Sequence, residues 1–146
     1  MALAMTIDER EAFLAGVHVG ILSIATEGRG PLAAPVWYAY EPGGEVRLVT
    51  GRNSAKHRLL ETAGRATLCT QEESLPYRYV TVEGPVTLGA PDYERDVLGI
   101  AIRYLGERAG RAYAEGNGGP ASISRSVLVT LRPERWRSED YGKLGQ

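Results

Sequence analysis

Apolar and polar residues alternate in several short runs along the chain, and elsewhere the apolar spacing lengthens to three and four. The β-branched run Val19-Gly20-Ile21-Leu22-Ser23-Ile24-Ala25-Thr26, bounded by Glu27-Gly28-Arg29-Gly30-Pro31, predicts a strand and then a turn. A second strand is expected over Leu32–Tyr40, a turn at Glu41-Pro42-Gly43-Gly44-Glu45, and a third strand over Val46–Thr50. Two hairpins in succession predict an antiparallel meander. Ala66–Thr70 is a fourth strand. The long alternating run Tyr77–Leu88 is a fifth, in which Pro85 predicts a bend, a bulge or an exposed edge. Ser126–Arg132 is the sixth, followed by a polar tail.

Helical spacing appears in three regions. Thr6-Ile7-Asp8-Glu9 has the form of a capping box, in which hydroxyl and carboxylate satisfy each other's free backbone donors. With Phe13, Leu14 and Val17 on one face, it predicts a helix over Ile7–Val17. Ser54–Ala63 places Ala55, Leu59, Leu60 and Ala63 at helical intervals and stops at Gly64, a suitable C-terminal cap. Asp92 can cap a helix over Tyr93–Leu105, a shorter one is expected over Arg108–Glu115, and Gly116-Asn117-Gly118-Gly119-Pro120 reads as a loop. The order predicts a mainly β fold: a six-stranded antiparallel barrel with flanking helices, in a single domain over residues 1–146. A doubly wound α/β fold needs a helix between nearly every strand pair, and two early connections are too short for that.

Composition narrows the function classes. A 146-residue chain with 43% hydrophobic and 24% charged residues is ordinarily globular. Its net charge of −1 gives no basis for bulk binding of nucleic acid or an anionic membrane. Cys69 is the single cysteine, so no intrachain disulfide can form, which suits a reducing cytosol. With two histidines, His18 and His57, a structural metal is not expected. The first residues lack a basic segment and a long apolar run, so neither a signal peptide nor a membrane span is expected and the chain reads as cytoplasmic. Fifteen arginines against two lysines fit a GC-rich genome, or arginine-based anion binding.

The most informative stretch is Val49-Thr50-Gly51-Arg52-Asn53-Ser54-Ala55-Lys56. It leaves a strand, turns at a glycine and opens a helix, whose free N–H groups and positive dipole end suit an anion. Thr50 and Ser54 add hydroxyls and Lys56 a full charge. The same pattern also fits an ordinary capped helix start with a solvated lysine. It is not a nucleotide P-loop, because the second glycine before the lysine is missing. Trp37 and Tyr38 point to opposite faces of the second strand, so one or both form either a wall for a planar ring or core and dimer packing. Tyr77-Arg78-Tyr79 fits an interface or a ligand edge, and Arg135-Trp136-Arg137 a solvated basic face or a tail capping a neighbour's pocket. His57 is expected at the surface, and His18 at the end of the first helix, where positive charge suits the dipole. No nucleophile–base set or carboxylate pair has recognisable spacing.

Three ordered segments, Gly30–Tyr38, Leu48–Lys56 and Val80–Val86, together resemble the pyridoxamine 5′-phosphate oxidase-like split β-barrel superfamily. The resemblance covers residues 6–137 and is nearest to the short flavin/deazaflavin-dependent oxidoreductases. It implies an FMN-binding type of split barrel, a homodimer with two equivalent sites between subunits, and either coenzyme F420 (a deazaflavin) or FMN as cofactor. By the same resemblance, Val36, Trp37 and Tyr38 lie along the ring system, while Thr50, Ser54, Ala55 and Lys56 hold the phosphate. Arg78 and Tyr79 reach the ring from the partner chain, and Trp136 lies in a closing tail. Arg52, Lys56 and Arg58 form a basic path for an anionic tail, or Arg52 and Arg58 are solvated charges.

Two departures exclude pyridoxal phosphate synthesis. The run Leu131-Arg132-Pro133-Glu134-Arg135-Trp136 has no histidine, and Ala34 and Ala39 stand where those oxidases carry basic residues. The expected function is therefore an oxidoreductase that uses F420 or FMN to reduce a small unsaturated organic substrate. The alternatives are a non-catalytic cofactor-binding or redox-sensing protein, and a divergent barrel that binds nothing.

Overall fold

A computed structural model describes residues 2–145. The chain forms α1 (Ile7–Ala15), β1 (Gly20–Ile24), β2 (Leu32–Val36), β3 (Val46–Gly51), α2 (Ala55–Ala63), β4 (Arg65–Glu72) and β5 (Arg78–Gly89). A π-helical turn (Tyr93–Leu98), α3 (Gly99–Leu105), α4 (Glu107–Gly116), a 3-10 segment (Gly119–Arg125), β6 (Ser126–Leu131) and β7 (Arg135–Asp140) follow. A last 3-10 turn covers Tyr141–Lys143. The six expected strands lie in one antiparallel path ordered β2-β1-β4-β5-β6-β3. This is the curled half-barrel of the expected split-barrel fold, and the bridge between Ala39 and Arg47 draws its two ends together.

Inward positions alternate along each strand, as a half-buried sheet requires. Leu22 and Ile24 of β1, Val46 and Leu48 of β3, Leu68 of β4, Val80 and Val82 of β5, and Val129 and Leu131 of β6 are all buried. Phe13 and Leu14 of α1 and Leu60 of α2 close the ends of this core.

Three expectations are corrected. The meander stops after one hairpin. β1 pairs β2 from Gly20 with Val36 to Ile24 with Leu32, but β3 pairs β6, from Val46 with Leu131 to Gly51 with Ser126. Toward β3 only the Ala39–Arg47 bridge forms, and on the opposite edge the Tyr104 hydroxyl of α3 accepts from the Tyr38 N–H at 3.0 Å and lies 2.6 Å from the His18 carbonyl oxygen, where the β1–β2 ladder ends. Next, α1 ends at Ala15, because Gly16 is extended, and Val17 is exposed instead of sharing the apolar face. Finally, the polar tail is a seventh strand. β7 pairs β5 from Arg78 with Asp140 to Glu83 with Arg135, and it escapes hydropathy because every residue of it but Trp136 is polar or charged, on both faces.

β6 and β7 follow one another along β5, β6 pairing Val86–Gly89 and β7 pairing Arg78–Glu83. Between these stretches Gly84 and Pro85 face Arg132, Pro133 and Glu134, so the corner carries a bulge, as Pro85 foreshadowed. Gly84 is needed there, since a Cβ would lie 1.8 Å from the Arg132 carbonyl oxygen.

Candidate functional site

The β3–α2 junction is built as the sequence suggested. Gly51 ends the strand, Asn53 takes a left-handed conformation (φ 65°), and Ser54 caps α2 by accepting from the His57 N–H at 3.2 Å. The first N–H groups of α2, at Ala55 and Lys56, have no acceptor within the helix. The Thr50 and Ser54 hydroxyls lie 3.3 Å apart. His57 is buried, not at the surface: its Nδ1 accepts from the Asn53 N–H at 2.9 Å and thereby holds the left-handed turn.

This junction forms part of a cleft of about 760 Å³, within the range of small-molecule sites. Pro35, Val36 and Trp37 from the end of β2, with Val49, Ile100 and Ala101, make its apolar part. Thr50, Gly51 and Lys56 supply the polar end of β3 and α2. Trp37 is fixed by stacking on Tyr104, with centroids 4.9 Å apart and planes at 7°, and Tyr113 of α4 tilts against it at 5.4 Å. Asp96 also lines the cleft, with its carboxylate fully buried. Burial opposes its ionisation, but hydrogen bonds from Arg95, the Asp92 N–H and Arg47 outweigh this and hold the carboxyl below its ordinary range.

Val36, Trp37, Thr50 and Lys56 are thus brought together, with Ser54 and Ala55 beside them at the helix start. Tyr38 is not among them. Its side chain is in the barrel core, where its hydroxyl donates to the Leu14 carbonyl at 2.7 Å, so it gives no wall to a ring. A side chain following an outward Trp must point inward, and the core was the vacancy it filled. Arg52 folds onto the Ser124 and Ser126 carbonyls at 3.3 and 3.4 Å, away from the cleft lining, and Arg58 is exposed.

The remaining expected residues lie elsewhere on the same chain. Arg78 pairs with Glu72 and sits 5.0 Å from the Phe13 ring centroid. Tyr79 and Trp136 border a separate concavity over β5 and β7, and Trp136 packs on Tyr40 with Arg10 4.6 Å from its ring. His18 stacks on Phe13 at 4.4 Å, with Nε2 3.0 Å from the Phe13 carbonyl oxygen. Burial lowers its pKa, so it serves as a neutral packing group and not as a charge on the helix dipole.

The cleft contains residues the sequence reading passed over: Tyr113 and Asn117 from α4 and its end, and Ser122 and Arg125 from the 3-10 segment. The glycine-rich stretch between strands looked like a plain connection. Only the pairing of β6 with β3 brings it against the Thr50–Lys56 turn. No group of three or more metal-ligating side chains is assembled among the described residues, and no helix among them is long and apolar enough to cross a membrane.

Known structures share this architecture. The conserved hypothetical protein Rv2991 from Mycobacterium tuberculosis is similar with a TM-score of 0.79 and 24% identity, over 100% of this chain and 92% of that one. An F420 reductase is similar with a TM-score of 0.71 and 21% identity, over 87% and 94%. A FAD and heme binding protein from Mycobacterium smegmatis is similar with a TM-score of 0.72 and 16% identity, over 95% and 73%. At such identities the likeness establishes the fold. No curated protein matches the chain significantly. Residues 6–140, almost the whole barrel, match the family model of pyridoxamine 5′-phosphate oxidase, and the chain belongs to that family.

Proposed function

We propose that this protein is an oxidoreductase that binds coenzyme F420, with FMN as the alternative, and reduces a small unsaturated organic substrate. The observation that carries the reading is one cleft with two chemically different ends. Pro35, Val36 and Trp37 offer an apolar edge for a planar ring, and Lys56, Thr50 and the α2 start offer donors for its phosphate. The residues fit such a cofactor: the first-turn N–H groups of α2 lack helical acceptors, and the Ser122 Oγ in the cleft wall is buried without a partner. When bound, the cofactor supplies hydride chemistry. The chain contributes position, a basic anchor and a partly dry wall.

The F420 reductase and the FAD-binding proteins among similar folds support a flavin-type ligand. The separation of Arg78, Tyr79 and Trp136 from the cleft fits a homodimer in which those residues act on the neighbour's site. The departures at Ala34, Ala39 and the Leu131–Trp136 run speak against pyridoxal phosphate synthesis.

Titration with F420 and with FMN, followed by tryptophan fluorescence, tests the binding. Saturable quenching by either is the expected result, and absence of both removes the reading. Multiple turnover of reduced cofactor with a carbonyl and enone panel then separates an enzyme from a non-catalytic binder or sensor.

A further inference from the structure

The sequence places the basic residues around the α2 start, at Arg52, Lys56 and Arg58, yet only Lys56 of these lines the cleft. The second cation there is Arg125, from the end of the 3-10 segment. Its position is fixed by the fold. Its carbonyl accepts from the Arg52 N–H at 2.8 Å, and the Arg52 side chain holds the carbonyls of Ser124 and Ser126 on either side. Its guanidinium lies against Gly118, where a Cβ would stand 2.7 Å from Nη2, and donates to the Asn117 carbonyl at 3.2 Å. No carboxylate pairs with Arg125 or Lys56 among the described residues. Asp96, the one carboxylate in the lining, is already occupied by Arg47 and Arg95.

The same segment presents an unmet donor. Ser122 is 8% exposed and lines the cleft, and its Oγ has no hydrogen-bond partner. A buried hydroxyl left unpaired is unfavourable. Two cations without a carboxylate partner among the described residues and the open first turn of α2 converge on one cleft from two elements, with the enclosed Ser122 hydroxyl in its wall.

We infer that Arg125 is a second anchor of the Lys56 anion site, which takes a phosphate-bearing group, whether a monoester, a diester or a diphosphate. A phosphate monoester carries about −1.5 to −2 charges at pH 7, matching the pair of cations better than a single carboxylate would. Arginine suits this role because its planar fork can bind two phosphate oxygens at once. The inference rests on the flavin-type reading of the cleft for the ring, but its anion chemistry can be measured separately.

Four proteins decide it: wild type, Lys56→Ala, Arg125→Gln and Arg125→Lys, each titrated with FMN, riboflavin and inorganic pyrophosphate. Arg125→Gln is expected to weaken FMN and pyrophosphate roughly tenfold to a hundredfold and leave riboflavin unchanged, the scale of one charged hydrogen bond. Arg125→Lys should recover part of the loss. Because Arg125 is exposed, its variants should melt at the wild-type temperature. Flavin binding that falls in Lys56→Ala but not in Arg125→Gln overturns the inference and leaves the functional reading standing. Failure to bind any flavin or deazaflavin, with Arg125-dependent pyrophosphate binding kept, removes the functional reading and upholds the anion site. Binding of neither removes both. An equal loss for FMN and riboflavin also overturns the inference, since Arg125 would then act on the ring or the fold.

Discussion

Lys56 stands in the first turn of α2, with no ion pair to its ammonium among the described residues, close to Thr50, Ser54 and two free backbone donors. Replacing it with Ala should weaken F420 or FMN binding by about 1.5–3 kcal/mol, the range for hydrogen bonds to charged groups, and leave riboflavin nearly untouched. Fluorescence titration of the three ligands measures the difference, and equal losses would deny Lys56 the phosphate. Asp96 poses a different residue-level test. Its folded pKa lies below the unfolded value, so the native state holds fewer protons between the two. Its contribution is therefore complete above about pH 4 and fades as pH falls through the folded value. Denaturant melts between pH 7 and 3 should show this loss, and in Asp96→Asn the acid-dependent part should shrink while stability at pH 7 falls by about 1.5–3 kcal/mol. An Asn variant with an unchanged acid slope would assign the acid sensitivity to other groups. Glu9 is one such group, held down to about 2 by Lys143 and the Thr6 N–H.

At the scale of elements, the helix starts were legible because their signals are local. The Thr6–Glu9 box forms with both reciprocal bonds, at 2.8 and 3.2 Å, and the Ser54 cap and Gly64 stop fall where the sequence put them. Asp92 likewise caps its helix by accepting from the Arg95 N–H, although the first six residues wind as a π turn before α3 begins. Beyond the β1–β2 hairpin, strand partners were not legible, since pairing depends on residues far along the chain. The corner of β5 is the element most exposed to a single change. Gly84→Ala would drive a Cβ into the Arg132 carbonyl, and no side chain can yield there because the obstacle is backbone. The β5–β6–β7 crossing must then open. Loss of stability by several kcal/mol, beyond the usual range of about 0.5–3 for point changes, is expected in a urea melt. A melt within 1 kcal/mol of wild type, on the order of a surface change, would show that the corner relaxes freely.

For the whole molecule, the test is oligomeric state. Val19 and Ile21 at β1, Val17 before it, and Leu75 and Tyr77 before β5 are exposed apolar groups that a solitary barrel leaves in water. A symmetric homodimer is the expected outcome, being the commonest closed arrangement. Light scattering at micromolar concentration should return twice the 15.8 kDa chain mass. A monomer mass would remove the shared-site model and leave Arg78, Tyr79 and Trp136 with structural roles alone. In a dimer, Arg78→Ala or Tyr79→Ala should weaken cofactor binding without altering the cleft of its own chain.

By itself the sequence determined the mainly β class, six of the strands, the long helices and the Thr50–Lys56 strand-to-helix turn, because alternation, caps and glycine stops act within a few residues. It also carried the family resemblance, through the order and spacing of three segments that are each weak alone. Only the tertiary structure decided that β3 sits beside β6, that the second hairpin is reduced to the Ala39–Arg47 bridge, and that the charged tail becomes a strand on β5. The same long-range pairing buried Tyr38 and His57, turned Arg52 onto backbone carbonyls, and brought Ser122 and Arg125 into the cleft beside Lys56. Local patterns set what each segment is, whereas burial and contact between distant segments set what each side chain faces. A glycine-rich connection between strands therefore reads as filler until the β3–β6 ladder places it against the site.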